Sequence, residues 1–344
     1  MTSPLNHKRL PLRAFLTIVC FAAAVHPAAA QTLTLQRTFH HHDVSHLVFS
    51  PDSKILATGG GDWATPDCVR LWDVATGTLL HTLRDRRDDF NIDSLAFSPD
   101  GRTVAYACDD KVRLWNVQTG RLVQVFSGKL VGNIEISPHG RLLVSSSGMD
   151  EGGYYSDVQI WDLRTGGRHT LRRSNGVDNI AFSPDGQHLI GINSEDDADN
   201  SPFQRIWNAG TGKVEQTRLL PRKTLALNIS ADSRFFAAGI WDAKQQDSVS
   251  VWTTQTGKRL FALHGPYHRV SDAAFSPGDA LLATGGDIDD KHSWGNLILW
   301  DLHTGQLLQA RKTPANVLSV TFSPDRHLLA SASENGTVQL WQIH

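Results

Sequence analysis

Short runs of alternating apolar and polar residues recur along nearly the whole chain, each bounded by Gly, Pro, Asp, Asn or Ser. That two-residue period predicts strands with one buried face, separated by turns. One unit can be read in full. Residues 93–97 predict a first strand ending at Phe97, and Ser98-Pro99-Asp100-Gly101 follows. Pro presets φ at the second position of such a turn and Gly suits the fourth. Residues 102–106 predict a second strand and residues 112–115 a third, ending at Trp115. Gln118-Thr119-Gly120 then turns the chain into a fourth strand over residues 121–126, with Gly supplying the positive φ that a tight hairpin needs.

The unit recurs seven times. Phe-Ser-Pro-Asp stands at 49–52, 97–100, 182–185 and 322–325, with looser copies at 136–139, 229–232 and 275–278. Each leads to a Trp closing a short β-branched run: Trp72, Trp115, Trp161, Trp207, Trp252, Trp300 and Trp341, spaced 43, 46, 46, 45, 48 and 41 residues apart. A four-stranded sheet of this size cannot bury both faces alone. Packing such sheets face to face around an axis does so and leaves only short edges. Residues 32–39 alternate like a fourth strand, and the last copy stops after its third. Pairing the two termini would therefore complete a ring of seven. The fold class expected is all-β, a seven-bladed β-propeller of four-stranded antiparallel blades, closed by the N-terminal strand.

These residues resemble the WD-repeat (WD40) family over essentially all of residues 32–344. The naming pair stands at Trp72-Asp73, Trp161-Asp162 and Trp300-Asp301, and is varied at Asn116, Asn208, Thr253 and Gln342. Of the Gly-His expected ahead of the first strand, only His40, nine residues before Phe49, occupies the place. The Asp expected six residues before the Trp is present as Asp109, and Asn335 replaces it in the seventh copy. The resemblance implies an incomplete His–Ser–Asp–Trp network, more reliance on apolar packing, and a role in organising complexes.

The first thirty residues read as a cleavable secretory signal, with residues 31–344 as the propeller. His7, Lys8, Arg9 and Arg13 precede an apolar run over residues 14–25, and Pro27 and Ala28-Ala29-Ala30 follow. Twelve apolar residues fall short of the ~20 that span a bilayer. The residues before Cys20 lack the pattern of a lipid-attachment site. Removing this segment takes three of the 33 Lys and Arg and none of the 35 Asp and Glu, leaving −5. A mildly acidic surface argues against a nucleic-acid partner, which needs phosphate-neutralising bases. Export places the chain in the periplasm or outside the cell, with no transmembrane segment in its mature form. Cys68 and Cys108 are expected to remain separate thiols.

The distance from the end of the first strand to the Trp is 23, 18, 25, 25, 23, 25 and 19 residues in the seven copies. The turns barely vary, so the extra residues lie between second and third strands, on one face of the ring. These insertions carry Trp63, Tyr154, Tyr155, Phe203, Trp241 and Trp294 among acids. Rigid rings presented this way suit a protein- or peptide-binding face. A non-enzymatic scaffold is the leading expectation, without cofactor or metal. The acidic stretches 195–199 and 287–290 read as solvated loops rather than calcium sites, since neither has a calcium loop's spacing. His40, His41, His42 and His46 sit on a strand whose neighbours point to opposite faces, which disfavours a shared metal. The alternative is an enzyme or small-ligand sensor at the channel mouth, built from His46, Asn133, Glu135, Asn179, Asn228 and Asp272. No nucleophile motif or metal-ligand spacing accompanies them.

Overall fold

A computed structural model describes residues 31–61, 68–85, 92–108, 110–128, 131–147, 157–171, 174, 176–193, 202–221, 224–240, 248–288 and 294–344. They form seven four-stranded antiparallel sheets, and no helix occurs among them. Blade 1 contains β2 (Val44–Phe49), β3 (Ile55–Gly60), β4 (Cys68–Asp73) and β5 (Leu79–Leu83). The innermost strands of blades 2 to 7 are β6 (Ile92–Phe97), β10 (Val131–Ile136), β14 (Asn179–Phe182), β18 (Thr224–Ile229), β22 (Arg269–Phe275) and β26 (Val317–Phe322). The outermost strands of blades 2 to 6 are β9 (Arg121–Ser127), β13 (Arg168–Thr170), β17 (Val214–Leu219), β21 (Arg259–His264) and β25 (Leu307–Thr313). Blade 7 takes its outer strand from the other end of the chain. There β1 (Leu33–His40) pairs with β28 (Thr337–Ile343), from Leu33 opposite Ile343 to His40 opposite Thr337. The ring closure expected from the alternation of residues 32–39 is therefore present.

The repeated signature builds the turns. Each first-to-second-strand connection is five residues long: 50–54, 98–102, 137–141, 183–187, 230–234, 276–280 and 323–327. In the first of them Ser50 Oγ donates to Asp52 Oδ1 at 2.7 Å and accepts Ile55 N at 2.9 Å, while Ser53 N donates to Ser50 O. The fourth position carries positive φ throughout, held by Gly in three copies but by Ser53, Ser233, Asp279 and Arg326 elsewhere. The polar residue after each of the first six Trp residues acts on the next turn. Asp73 Oδ1 accepts both Thr76 N and Thr76 Oγ1 at 2.7 Å, and Asn116 and Asn208 do the same for Thr119 and Thr211. Asn keeps the acceptor oxygen, and so the pair can vary without loss of the turn.

One apolar cluster fills each joint between neighbouring blades. The closing joint, between blades 7 and 1, gathers twelve buried residues, including Phe39, Val44, Phe49, Leu56, Trp72, Val338 and Leu340. The other joints hold ten to twelve, except the one between blades 4 and 5. That joint holds six: Ile190, Ile192, Leu220, Ile229, Phe236 and Ala238. At roughly 1.5–3 kcal/mol for each large apolar side chain fully buried, it is the smallest joint among the described residues. Cys108 is buried at the end of its strand (Thr103–Cys108). The Cys68 side chain lies outside the described residues.

Part of the family's hydrogen-bond network is present in blade 1, one residue removed from the expected place. His41, not His40, is buried and bonds through Nδ1 to Thr58 Oγ1 at 2.6 Å, and Trp72 Nε1 donates to the same oxygen at 3.0 Å. His40 is the exposed last residue of β1, and its carbonyl accepts Arg70 Nη1. His41 lies two residues on from buried Phe39 and shares its inward side, with His40 between them on the outer side. Blade 6 reproduces the arrangement with Tyr267 in place of the His. Its hydroxyl bonds to Thr284 Oγ1, to which Trp300 Nε1 donates at 2.8 Å. Blade 7 keeps only Trp341 Nε1 donating to Ser331 Oγ at 3.0 Å. In blade 4, Gly191 replaces the hub hydroxyl, and a Cβ there would stand 2.7 Å from the Trp207 ring. In blade 5 the hub position is Ala238, and Trp252 Nε1 has no partner. Asp109 lies outside the described residues.

Candidate functional site

Strands alternate in direction, so the first-to-second and third-to-fourth turns share one face of the ring. The second-to-third connections share the other face with the links between blades. The first face is uniform, with turns of four or five residues. The second is not. Its second-to-third connections run over 61–67, 109–110, 148–158, 194–202, 241–247, 288–294 and 334–336. Five of the seven blades carry seven to eleven residues there, and blades 2 and 7 carry two and three. The long connections therefore cover blade 1 and the arc from blade 3 to blade 6.

Trp63, Tyr154, Tyr155 and Trp241 lie outside the described residues. Trp294 stands at the end of the blade 6 connection, 44% exposed, with Lys312 Nζ 3.8 Å from its ring centre. An ammonium over an indole face is held by the ring quadrupole, so the pair presents one cationic, aromatic surface. Phe203 departs from the expectation that it is a loop residue. It is the first residue of β16 (Phe203–Asn208), paired with Asn193 and Leu219. Its ring packs half-buried on the core between blades 3 and 4, with the Arg205 guanidinium 4.1 Å from its centre. The β-period continues through this residue, which takes the ring out of the loop. Its cross-strand neighbour Leu219, 75% exposed at the same rim, is the apolar group on show there. Sequence reasoning missed it because a Leu at a strand end looks like any other strand residue. Phe203 and Trp294 belong to blades 4 and 6, with blade 5 between them.

One acidic residue also departs from its expected place. Asp287 is a wholly buried end residue of its strand (Leu281–Asp287), with its carboxylate 3.6 Å from His268 Nδ1. Glu195, Asp196, Asp197, Asp199, Asp289 and Asp290 lie outside the described residues. Among the described residues no three His, Cys, Asp or Glu groups converge as metal ligands, and no helix is long and apolar enough to cross a membrane.

All six channel candidates line a central cavity of about 660 Å³. Among the described residues, its ionisable lining groups are His46, Glu135 and Asp272. Four of the six reach the next blade. Glu135 Oε2 accepts Phe182 N at 2.8 Å, joining blades 3 and 4. Asn179 Nδ2 donates to Leu227 O at 2.9 Å, joining blades 4 and 5. Asp272 Oδ2 accepts Val320 N at 2.9 Å, joining blades 6 and 7. His46 bonds to the backbone of Ile92, joining blades 1 and 2. Ser94, equivalent to His46 in the repeat, accepts Ile134 N at 3.1 Å and joins blades 2 and 3. Burial pushes the Glu135 carboxyl up to about 8 and the Asp272 carboxyl up to about 7, and holds the His46 imidazole down near 4. The carboxyls stand three blades apart, on opposite sides of the ring, so they do not form an acid–base pair.

A closed ring of seven four-stranded blades, with one uniform face and one loop-bearing face, defines a seven-bladed β-propeller. The chain belongs to the WD40 β-propeller family: residues 91–344 match the family model described as the IFT122 first beta-propeller, and residues 33–73 match the WD domain, G-beta repeat. Among curated proteins it is similar to the small ribosomal subunit protein RACK1y of Oryza sativa subsp. japonica, with 34% identity over 31% of this chain and 28% of that protein. It is similar to the mouse (Mus musculus) periodic tryptophan protein 2 homolog, with 33% identity over 35% of this chain and 12% of that protein. It is also similar to the eukaryotic translation initiation factor 3 subunit I of Phaeosphaeria nodorum, with 45% identity over 20% of this chain and 19% of that protein. The chain thus spans less than a third of the length of these relatives. Among solved structures, the β-propeller domain of Myceliophteria thermophila Cps50 (Swd1) superposes with a TM-score of 0.73 at 18% identity, over 91% of this chain and all of that one, a likeness of fold.

Proposed function

We propose that this propeller is a non-enzymatic scaffold that binds a protein or peptide through its loop-bearing face, and that it works in the periplasm or outside the cell. The observation that carries the reading is the difference between the two faces. Every first-to-second turn has five residues, whereas five of the seven second-to-third connections have seven to eleven. Turns that only need to reverse the chain stay short, and length is kept where a surface is put to use. Trp294 under Lys312 in blade 6, and Leu219 in blade 4, add exposed apolar and cationic groups to that face. Relatives named as a ribosomal subunit protein and an initiation-factor subunit fit a propeller whose role is to join an assembly. The export half of the reading rests on residues 1–30, with their order of basic, apolar and small side chains. A channel enzyme is the weaker reading, since four of the six polar side chains offered for it are engaged in joining blades.

The test is affinity capture of the tagged full chain from its native envelope fraction, beside a variant with Trp63, Tyr154, Trp241 and Trp294 all changed to Ala. A partner held by the wild type and lost by the folded variant supports the reading. Equal recovery by both excludes this face. N-terminal sequencing of the recovered protein, beginning at Gln31 or still at Met1, decides the export reading separately.

A further inference from the structure

On the face of uniform turns, the outer rim is stapled from blade to blade at several joints. Arg37 of β1 and His81 of β5 each lie opposite the residue before their blade's Trp, and each reaches the next blade. Arg37 donates to the Ala75 and Thr76 carbonyls at 2.8 Å, and His81 Nε2 meets the Gln118 carbonyl at 3.1 Å. At the joint into blade 5, Arg218 of β17 donates to the Thr254 and Gln255 carbonyls. Ala75, Gln118 and Gln255 each stand three residues after a Trp, so one carbonyl of the repeat is the common target.

The joint into blade 4 has the same parts without the staple. His169 of β13 lies opposite Ile160, the residue before Trp161, yet its exposed ring makes no hydrogen bond among the described residues. Gly210, three residues after Trp207, is exposed, and neither its N–H nor its carbonyl is hydrogen-bonded among the described residues. Between them stands a hollow of about 490 Å³, lined by Arg141, Asp162, Arg168, His169 and Gly210 and floored by buried Ala209. That volume is in the range of small-molecule sites. Two guanidiniums stand there against one carboxylate, and the carboxylate is already engaged. Asp162 accepts Arg141 Nε at 3.0 Å, Arg164 N at 3.0 Å and Thr165 N at 2.9 Å. Arg141 keeps both Nη groups. Arg168, tied through Nη1 to Ser127 O at 2.9 Å and Gln159 Oε1 at 3.4 Å, keeps Nε and Nη2. Guanidinium forks match the oxygens of phosphoryl and carboxylate groups. Here the donors come from Arg141, from Arg168 and His169, and from the Gly210 N–H of the next blade. Three directions exceed the two oxygens of a carboxylate and suit the three of a phosphoryl group. Gly210 also leaves the backbone open to an oxygen, since a Cβ there would meet only Asn208 Oδ1, at 3.6 Å.

We propose that the hollow between blades 3 and 4 is an oxyanion site that takes a phosphoryl group, free or carried as the monoester of a small molecule, among Arg141, Arg168, His169 and the Gly210 N–H. The ligand takes the place that a side chain of the preceding blade fills at the stapled joints. The site is on the face of uniform turns, so it stands or falls independently of the partner bound on the loop-bearing face.

The experiment is isothermal titration calorimetry of the full chain with inorganic phosphate, glucose 6-phosphate and glucose, with circular dichroism to establish folding of each variant. Phosphate, its glucose ester or both should bind, and glucose should not. Tighter binding of the ester assigns the site to a phosphate monoester, and equal or tighter binding of inorganic phosphate assigns it to the free ion. Arg141→Gln/Arg168→Gln should weaken binding about tenfold or more. His169→Glu gives a second readout that disturbs no hydrogen bond of the ring, and the acid it brings into the hollow should weaken binding as well. Lys258→Glu, an exposed charge change on the same face in blade 5, should leave binding unchanged. No saturable binding of either phosphate in the millimolar range overturns the proposal. So does binding of glucose as tight as its phosphate, binding that survives both hollow variants, or an equal loss with Lys258→Glu.

Discussion

Blades 1 and 5 carry the same repeat but are held differently. In blade 1, Thr58 is a hub that takes both His41 and the Trp72 indole, and the joint on the closing side holds twelve buried apolar residues. In blade 5 the hub position is Ala238, and among the described residues the Trp252 indole nitrogen has no partner and the joint to blade 4 holds six. At the inner-strand position where blades 1, 2, 4 and 6 have His46, Ser94, Asn179 and Asp272, blade 5 has Ala226. Both blades nevertheless keep the Ser-x-Asp turn, with Ser230 Oγ donating to Asp232 Oδ1 at 2.9 Å as Ser50 does to Asp52. The comparison separates two demands within one motif. Turn residues fix where each strand starts, and every copy keeps the Ser whose Oγ accepts the backbone N–H five residues on. Hub residues add stability to one blade, and a ring held by its neighbours tolerates their loss.

The strongest way to break this contrast is to remove the hub. Thr58→Val leaves His41 and the Trp72 indole without their shared oxygen and should cost about 2–4 kcal/mol in chemical denaturation, because each orphaned buried group costs about 1–3 kcal/mol. Ala238→Val, which adds no polar group to lose, should stay within the smaller cost of overpacking, about 1–3 kcal/mol. Next comes the turn. Asn116→Ala removes the acceptor for Thr119 N and Oγ1 and should cost about 1 kcal/mol. The smallest effect sharpens the comparison from the other side. Ala238→Ser places a hydroxyl where blade 1 has Thr58 and should stabilise the protein by about 0.5–1 kcal/mol if the Trp252 indole donates to it.

The joints also predict a pH profile with opposing arms. The folded chain holds a proton on Glu135 up to about pH 8 that the unfolded chain releases near 4.5, and Asp272 does so up to about pH 7. Stability from these two carboxyls is therefore present at low pH and is lost as pH rises through that interval. His41 and His46 act in the other direction. Burial holds them near 3 and 4, so below about pH 6.5 the unfolded chain binds protons that the folded chain refuses. Stability then falls on acidification. Glu135→Gln keeps an acceptor for Phe182 N and should flatten the alkaline arm while leaving the acid arm in place, as read from melting temperature across pH 4–9.

Much of this was legible in the sequence, because strands and turns are local. The period of two, the Ser-Pro-Asp turns and the spacing of the seven Trp residues fixed blade number, strand order and ring closure. What failed were positions decided by backbone twist or by contacts between blades. His40 and His41 are adjacent, and it is the strand's alternation from buried Phe39 that puts His41, not His40, on the inward side. Phe203 lies at a boundary where strand and loop read alike, and cross-strand pairing with Leu219 settles it. The channel-lining set was found correctly, because alternation points those residues at the axis. Their use as joints between blades was hidden, since a single blade's pattern does not say what its neighbour offers.

The central claim is that a partner meets the loop-bearing face and not the face of uniform turns. A photo-crosslinking amino acid placed at Trp294 and, in a second chain, at Asp325 on the opposite face tests it directly in the native envelope. The account predicts a partner adduct from position 294 and none from position 325. An adduct from 325 alone, or from both equally, would contradict it.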